Sequence, residues 1–211
     1  MFVDSRFVVL DKPAGLKVHA GPGGGPSVED WFGLLSRRRD GPWLAHRLDA
    51  DTAGCLVIAL RRAALREAQA CFADGRAEKT YWAIVEGTPS EETGTITVPL
   101  AKLHDRTGWR MVADAAGAPA RTDYVVLGHA QGRSWLELRL RHGRTHQARV
   151  HCASLGCPVV GDARYGIAAE GLQLLARRIA LPLAPPVEAI APPPAHMRAA
   201  LSACGYRVMA G

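Results

Sequence analysis

Apolar residues along this chain come in short runs broken by polar and glycine-rich turns, and the period of each run suggests its element. Residues 7–10 form an apolar run that stops at Asp11-Lys12-Pro13-Ala14-Gly15, the pattern of a strand followed by a Pro/Gly turn. The stretch 21–26 is almost all Gly and Pro and reads as a loop. Ser27-Val28-Glu29-Asp30 predicts a helix start with Ser27 as cap; Trp31, Leu34 and Leu35 are its apolar face, and it fades at Arg37-Arg38-Arg39. Residues 55–60 are continuously apolar, as in a buried strand, and 62–72 have helical spacing with Gly75 just past the end. Further strands are expected over 81–85, 95–100, 120–127 and 134–140, the last two as a hairpin around 128–133. A helix over 144–155 ends at Gly156 before Pro158; 172–183 reads as a last strand, 185–194 as extended loop and 195–204 as a short helix. Strands and helices mix without βαβ regularity, and no repeat or linker divides the chain. The expectation is one α+β domain over 1–211 with a mostly antiparallel sheet.

Composition narrows the class. The chain has 211 residues, 48% of them hydrophobic and 22% charged, values of an ordinary globular protein long enough to bury a core without staples. The net charge is +6, and the cations are 22 Arg against 4 Lys. Guanidinium forks suit phosphates and base edges, so the bias fits an RNA partner, although a GC-rich genome would produce it as well. Five cysteines without C-x-x-C spacing argue against a disulfide framework or a four-cysteine zinc site and point to reduced thiols in the cytoplasm. The first ten residues lack the pattern of a signal peptide, and no apolar stretch is long enough to span a membrane.

Three segments concentrate chemistry. His46-Arg47-Leu48-Asp49-Ala50-Asp51-Thr52-Ala53-Gly54 puts an arginine and two carboxylates at a loop-to-strand junction; a polar turn with an Asx-type hydrogen bond would look the same. In Lys79-Thr80-Tyr81-Trp82-Ala83-Ile84-Val85-Glu86-Gly87, alternation places Lys79, Tyr81, Ala83 and Val85 on one face. Tyr81 there either stacks on a base or packs into the core. Arg141-His142-Gly143-Arg144-Thr145-His146-Gln147-Ala148-Arg149-Val150-His151 is dense in donors, with His142, His146 and Arg149 on one helical face if the helix starts early. It reads as a functional or merely solvated basic face; a metal site from His142, His146, His151 and Cys152 is the weaker reading, because no carboxylate lies nearby and the arginines would repel a cation.

Together these segments resemble the RluA-type pseudouridine synthases. The first is similar to the family's H-R-L-D-x-x-T-x-G, the second to K-x-Y-x-A-x-V-x-G, and residues 143–166 to G-R-T-H-Q-x-R-V-H…G-x-P-x-x-G-D-x-x-Y-G. Asp11-Lys12-Pro13-Ala14-Gly15 resembles its K-P-x-G turn, and Ala120-Arg121-Thr122-Asp123-Tyr124 its A-x-T-x-[YF] strand, so the likeness covers nearly the whole chain in order. The resemblance implies a catalytic domain on a bent, mostly antiparallel sheet with flanking helices and a central RNA-binding cleft. It implies that Asp49 is nucleophile or base, that Arg149 pairs with it, that Tyr81 stacks on the uracil and that Arg47 fills the gap left by a flipped nucleotide. His46, Lys79, Arg144, His146 and Gln147 join Arg47 as expected RNA contacts. It further implies tRNA or ribosomal RNA as partner, no metal, no cofactor and a monomer. Ala53, Ala148 and Leu175 depart from the family pattern, where Ser, Ile or Leu, and His respectively are common; because the likeness starts almost at Phe7, the small N-terminal RNA-binding module of many relatives is not expected. The competing readings are an RNA-binding protein that kept the fold and lost the reaction, against which Asp49, Tyr81 and Arg149 all speak, and a metal-dependent hydrolase built on the histidines.

Overall fold

The computed structural model describes residues 1–21, 23–37, 40–106, 108–169 and 171–207. In chain order its elements are β1 (Phe2–Val3), β2 (Phe7–Lys12), a 3-10 turn (Val28–Trp31), α1 (Phe32–Leu35), β3 (Trp43–Leu44), β4 (Ala53–Ala59), α2 (Arg62–Ala73) and β5 (Glu78–Glu86). There follow β6 (Thr93–Ile96), β7 (Leu100–Asp105), β8 (Gly108–Ala113), β9 (Thr122–Ala130), β10 (Arg133–Leu140), α3 (Gln147–Ser154), β11 (Leu174–Leu181), β12 (Val187–Ile190) and α4 (Ala195–Ala203). The chain divides into two compact units, Met1–Lys79 with Leu175–Pro192 and Thr80–Leu174 with Pro193–Gly211. The fold is α+β, and every strand pair described is antiparallel except β4 with β11.

In the first unit the apolar run of β4 is buried along its whole length, as its uninterrupted hydrophobicity requires. It pairs with β2 and β3, and with β11 at Leu175 opposite Ala53. Gly54 has φ +111°, and a Cβ there would stand 2.3 Å from the Ala176 carbonyl oxygen, so the glycine of the first motif is demanded by backbone close to backbone. In the second unit the antiparallel order is β5-β10-β9-β6. Gln131 and Gly132, with φ of 53° and 74°, make a two-residue turn of the kind that matches strand twist. Ala83, Val85, Leu136, Leu138 and Leu174 form its core with Ala148 and Cys152 of α3. All five cysteines are buried thiols. Among the described residues no helix is long and apolar enough to cross a membrane.

Several expected elements change. The segment after Ser27 is one 3-10 turn and one α turn, too short to bury a face: Trp31 is 57% and Leu34 81% exposed, and Val28 is its buried residue. Arg38 and Arg39, where this helix was expected to fade, and Pro22 of the Gly/Pro loop lie outside the described residues. The run at 95–100 breaks into the end of β6 and the start of β7 around Pro99, which cannot donate to a ladder. The Pro-rich 185–194 is not all loop, since Val187 and Ala189 are buried within β12, paired to β11. α3 starts at Gln147 rather than 144, because His146 takes a left-handed φ of 53°. His142 and His146 therefore precede the helix and share no helical face with Arg149.

Gly54→Ala is expected to cost at least about 2 kcal/mol, from the strained φ and the clash with Ala176 together. Chemical denaturation of the purified variant checks this; wild-type stability would mean that β4 and β11 separate at no cost.

Candidate active site

In the first unit, the loop carrying Asp49 is fixed by backbone and by one buried cation. The Thr52 amide donates to the Asp49 carbonyl at 3.2 Å, closing a turn over the four residues that lead into β4. Leu48, immediately before Asp49, is buried. Lys12, at the end of β2, is 1% exposed, and its Nζ donates to the carbonyls of Pro13, Leu16 and Ala50, each at 2.8 Å. Three donors meet three acceptors, which is what an ammonium group needs when it leaves water. Burial pulls the Lys12 pKa down to about 8, against the opposing pull of Asp51 and Asp49. The Gly15 amide also donates to the Ala50 carbonyl, at 2.9 Å. The residue next to Asp49 is thus held from the β2 turn by a side chain and by a main-chain amide. Sequence reading had marked Lys12 only as part of a turn; its position directly after an apolar strand and before Pro13 is the signal that it ends inside.

His46, half-buried, is used by the fold: its Nε2 accepts the Val57 amide at 3.0 Å, and its ring lies 5.0 Å from that of Phe72. Burial pushes its pKa down to about 4, helped by Lys79 and opposed by a backbone hydrogen bond at Arg47, so the imidazole is neutral at pH 7. Arg47 is exposed. Lys79 is half-buried at the start of β5, and burial lowers its pKa.

In the second unit, Arg149 on α3 is buried and bidentate to Asp162, Nε to Oδ2 and Nη2 to Oδ1, both at 2.7 Å. Burial raises the Asp162 pKa, but the Arg149 contacts and the Arg164 and Tyr165 amides together outweigh it, and the carboxyl is held below its ordinary value. Asp162 was not singled out in the sequence, although it is the Asp of the G-D-x-x-Y-G stretch. The Tyr165 ring covers the guanidinium at 5.3 Å. His146 Nδ1 lies 2.7 Å from the Tyr165 hydroxyl, and its ring stacks on Trp109. Gln147 is buried; its amide nitrogen donates to the Arg121 carbonyl and to Thr122 Oγ1, and its oxygen accepts the Arg144 amide. Gln147 thus shapes the turn from inside, while Arg144 is exposed, with Nε on the Pro119 carbonyl. Tyr81, partly buried, packs against the core of this unit.

The histidines are drawn apart. His142 Nδ1 accepts the Arg121 amide, His146 meets Tyr165, and His151 is buried between Thr122 Oγ1 and the Val98 carbonyl. Among the described residues no three His, Cys, Asp or Glu side chains gather as metal ligands.

A family model described as RNA pseudouridylate synthase matches residues 6–154. The chain is 42% identical over 169 residues to an uncharacterized RNA pseudouridine synthase of Zymomonas mobilis, covering 79% of this chain and 77% of that one. It is 36% identical over 175 residues to ribosomal large subunit pseudouridine synthase D of the same organism, covering 79% and 55%. Among solved structures it is similar to human RNA pseudouridylate synthase domain containing 4, with TM-score 0.81, 25% identity and coverage of 96% and 91%. Human RNA pseudouridylate synthase domain containing 1 gives TM-score 0.78, 29% identity and coverage of 94% and 85%. Against several curated relatives the chain spans only about half to two thirds of their length, 65% and 51% in two further bacterial proteins.

Two outcomes follow from the geometry. A histidine whose folded pKa is about 4 contributes stability that is fully present above its ordinary pKa near 6.5 and is lost as pH falls toward 4. The full shift corresponds to about 3 kcal/mol, so His46→Gln, which keeps an acceptor for Val57, should flatten the stability profile between pH 7 and 4, measured by urea unfolding. Removing Arg149 strands a buried carboxylate: Arg149→Met should cost about 3–5 kcal/mol, and adding Asp162→Asn should recover much of it. Strictly additive effects in this thermal-melt cycle would show that the pair is not energetically coupled.

Proposed function

Because the chain belongs to the RNA pseudouridylate synthase family, we propose that it isomerises uridines of transfer or ribosomal RNA to pseudouridine, with Asp49 as the catalytic carboxylate. The observation that carries this reading is the Asp49 loop: the H-R-L-D stretch is present, and its backbone is clamped at Ala50 by Lys12 and Gly15. Fixed geometry is what a reacting group needs, because a misplacement of about 1 Å costs on the order of a hundredfold in rate.

In the reaction the bond from the sugar C1′ to uracil N1 breaks, the ring turns, and C1′ joins C5. The C5 hydrogen leaves as a proton while N1 gains one. Nothing is oxidised and no group is transferred to a second molecule, so the chemistry calls on an ionised carboxylate and proton movements alone. Asp49 either attacks C1′ or removes a sugar proton. The target base has to leave its stack, at a few kcal/mol, and Tyr81, with one side seated on the core, supplies an aromatic surface for it. Exposed Arg47 fills the vacated position, with Lys79, Arg144 and His146 toward the RNA. His46 and Gln147 serve from within, by shaping the loops that carry those residues. The family resemblance gives Arg149 a part in the reaction, and within the second unit Asp162 fixes the direction of its guanidinium. These roles rest on the family resemblance, and they describe one catalytic domain over 1–211, a cytoplasmic monomer using no metal or redox cofactor.

Purified protein incubated with tRNA and large-subunit ribosomal RNA transcripts tritiated at uridine C5 should release tritium. Asp49→Asn should lower that release by about a thousandfold or more while leaving RNA affinity within severalfold, since affinity comes mainly from phosphate contacts. Turnover retained in Asp49→Asn would refute the assignment.

A further inference from the structure

The β7–β8 hairpin forms a two-stranded sheet of its own in the second unit, and its inner face is tied to the segment that holds Arg149. The Met111 amide of β8 donates to the Tyr165 hydroxyl at 3.1 Å. That hydroxyl also meets His146 Nδ1 at 2.7 Å, and the His146 ring stacks on Trp109, two residues before Met111. Arg164 Nη1 donates to the Trp109 carbonyl. On the other side, the Tyr165 ring lies 5.3 Å from the Arg149 guanidinium carbon. The Tyr165 amide donates to Asp162 Oδ1, the same oxygen that accepts Arg149 Nη2. Tyr165 is therefore the shared member of two assemblies, one that fixes β8 and one that fixes Arg149. Leu100, Met111, Ala120 and Val150 pack around it as an apolar cluster.

The hairpin is also a cationic projection. Lys102, His104, Arg106 and Arg110 are exposed on it, and Lys102 Nζ lies 4.6 Å from the Trp109 ring centroid. Exposed cations beside an aromatic ring suit a nucleic-acid backbone and its bases.

We propose that Tyr165 is a positioning residue that couples the β7–β8 hairpin to Arg149, so that RNA held by the hairpin and the arginine of the reaction share one rigid mount. The hydroxyl does the first task and the ring does the second. The proposal rests on the reading of Arg149 as part of the reaction, and the two tasks separate chemically. Tyr165→Phe keeps the ring over Arg149 and removes the partner of Met111 and His146. Tyr165→Met keeps apolar volume in the cluster and removes both.

The test measures RNA affinity, single-turnover tritium release at saturating RNA and amide hydrogen exchange, on wild type and both variants, with large-subunit ribosomal RNA and tRNA transcripts as probes. Tyr165→Phe should speed exchange of the Met111 amide at least tenfold and weaken RNA binding severalfold, with the saturated rate within twofold of wild type. Tyr165→Met should weaken binding similarly and lower the saturated rate at least tenfold, with a shifted Arg149 Nε resonance in the NMR spectrum that Tyr165→Phe lacks. A merely structural role would move affinity and rate together, in step with the melting temperature, and that result overturns the proposal, as does unchanged Met111 exchange in Tyr165→Phe. If the wild type itself releases no tritium from either RNA, the functional reading fails; the Met111 and Arg149 signals then still decide the coupling.

Discussion

Lys12 keeps an ammonium group out of water with three backbone carbonyls around it, and one of these belongs to Ala50, next to Asp49. A buried cation without such partners would lose its proton or drag the loop open, so the chain can bury Lys12 only by bringing the β2 turn and the Asp49 loop to one geometry. The other constraints near Asp49 agree with it. Gly15 adds a second donor to the same carbonyl, Leu48 is buried ahead of Asp49, and Gly54 lets β4 pass close under Ala176. A loop defined at this many points holds Asp49 on a fixed backbone, as the role proposed for its carboxylate requires.

The second unit solves a similar problem with the opposite sign. Asp162 is a buried anion, and the guanidinium fork of Arg149 together with two amides satisfies it. A planar fork fixes direction as well as charge, so Arg149 is aimed by Asp162 in a way that a lysine could not reproduce. The same turn carries Arg164 and Tyr165 to the β7–β8 hairpin, so the arginine and the hairpin are positioned by a few consecutive residues.

Much of this was legible in the sequence, and the reasons differ by element. Strands β2, β4, β5, β9 and β10 announce themselves because apolar runs or alternation reflect burial directly, and α2 shows both its period and its terminal glycine. Elements set by tertiary pairing were not legible: β12 lies in a Pro-rich stretch and exists because β11 is beside it, and β3 is two residues long. α3 was placed three residues early because nothing in Arg144-Thr145-His146 warns of a left-handed residue. For the site, Asp49, Tyr81 and Arg149 stand out in the sequence through the family resemblance, since residue type and spacing alone left a polar turn, a core aromatic and a solvated basic face open. The residues that hold them could not, since Lys12 and Asp162 look like surface charges until burial is known. Gln147 and His46 are expected RNA contacts because they are polar residues in polar motifs; the internal hydrogen bonds that the fold also gives them are not announced by the motif.

The central claim, that this chain makes pseudouridine through Asp49, is tested most directly in cells. Pseudouridines would be mapped across all RNAs in a strain lacking the protein and in the same strain carrying either the wild-type chain or Asp49→Asn. The account predicts that specific sites disappear with the protein, return with the wild-type chain and stay absent with Asp49→Asn expressed at the same level. An unchanged map in the deletion strain, or sites restored by Asp49→Asn, would contradict it.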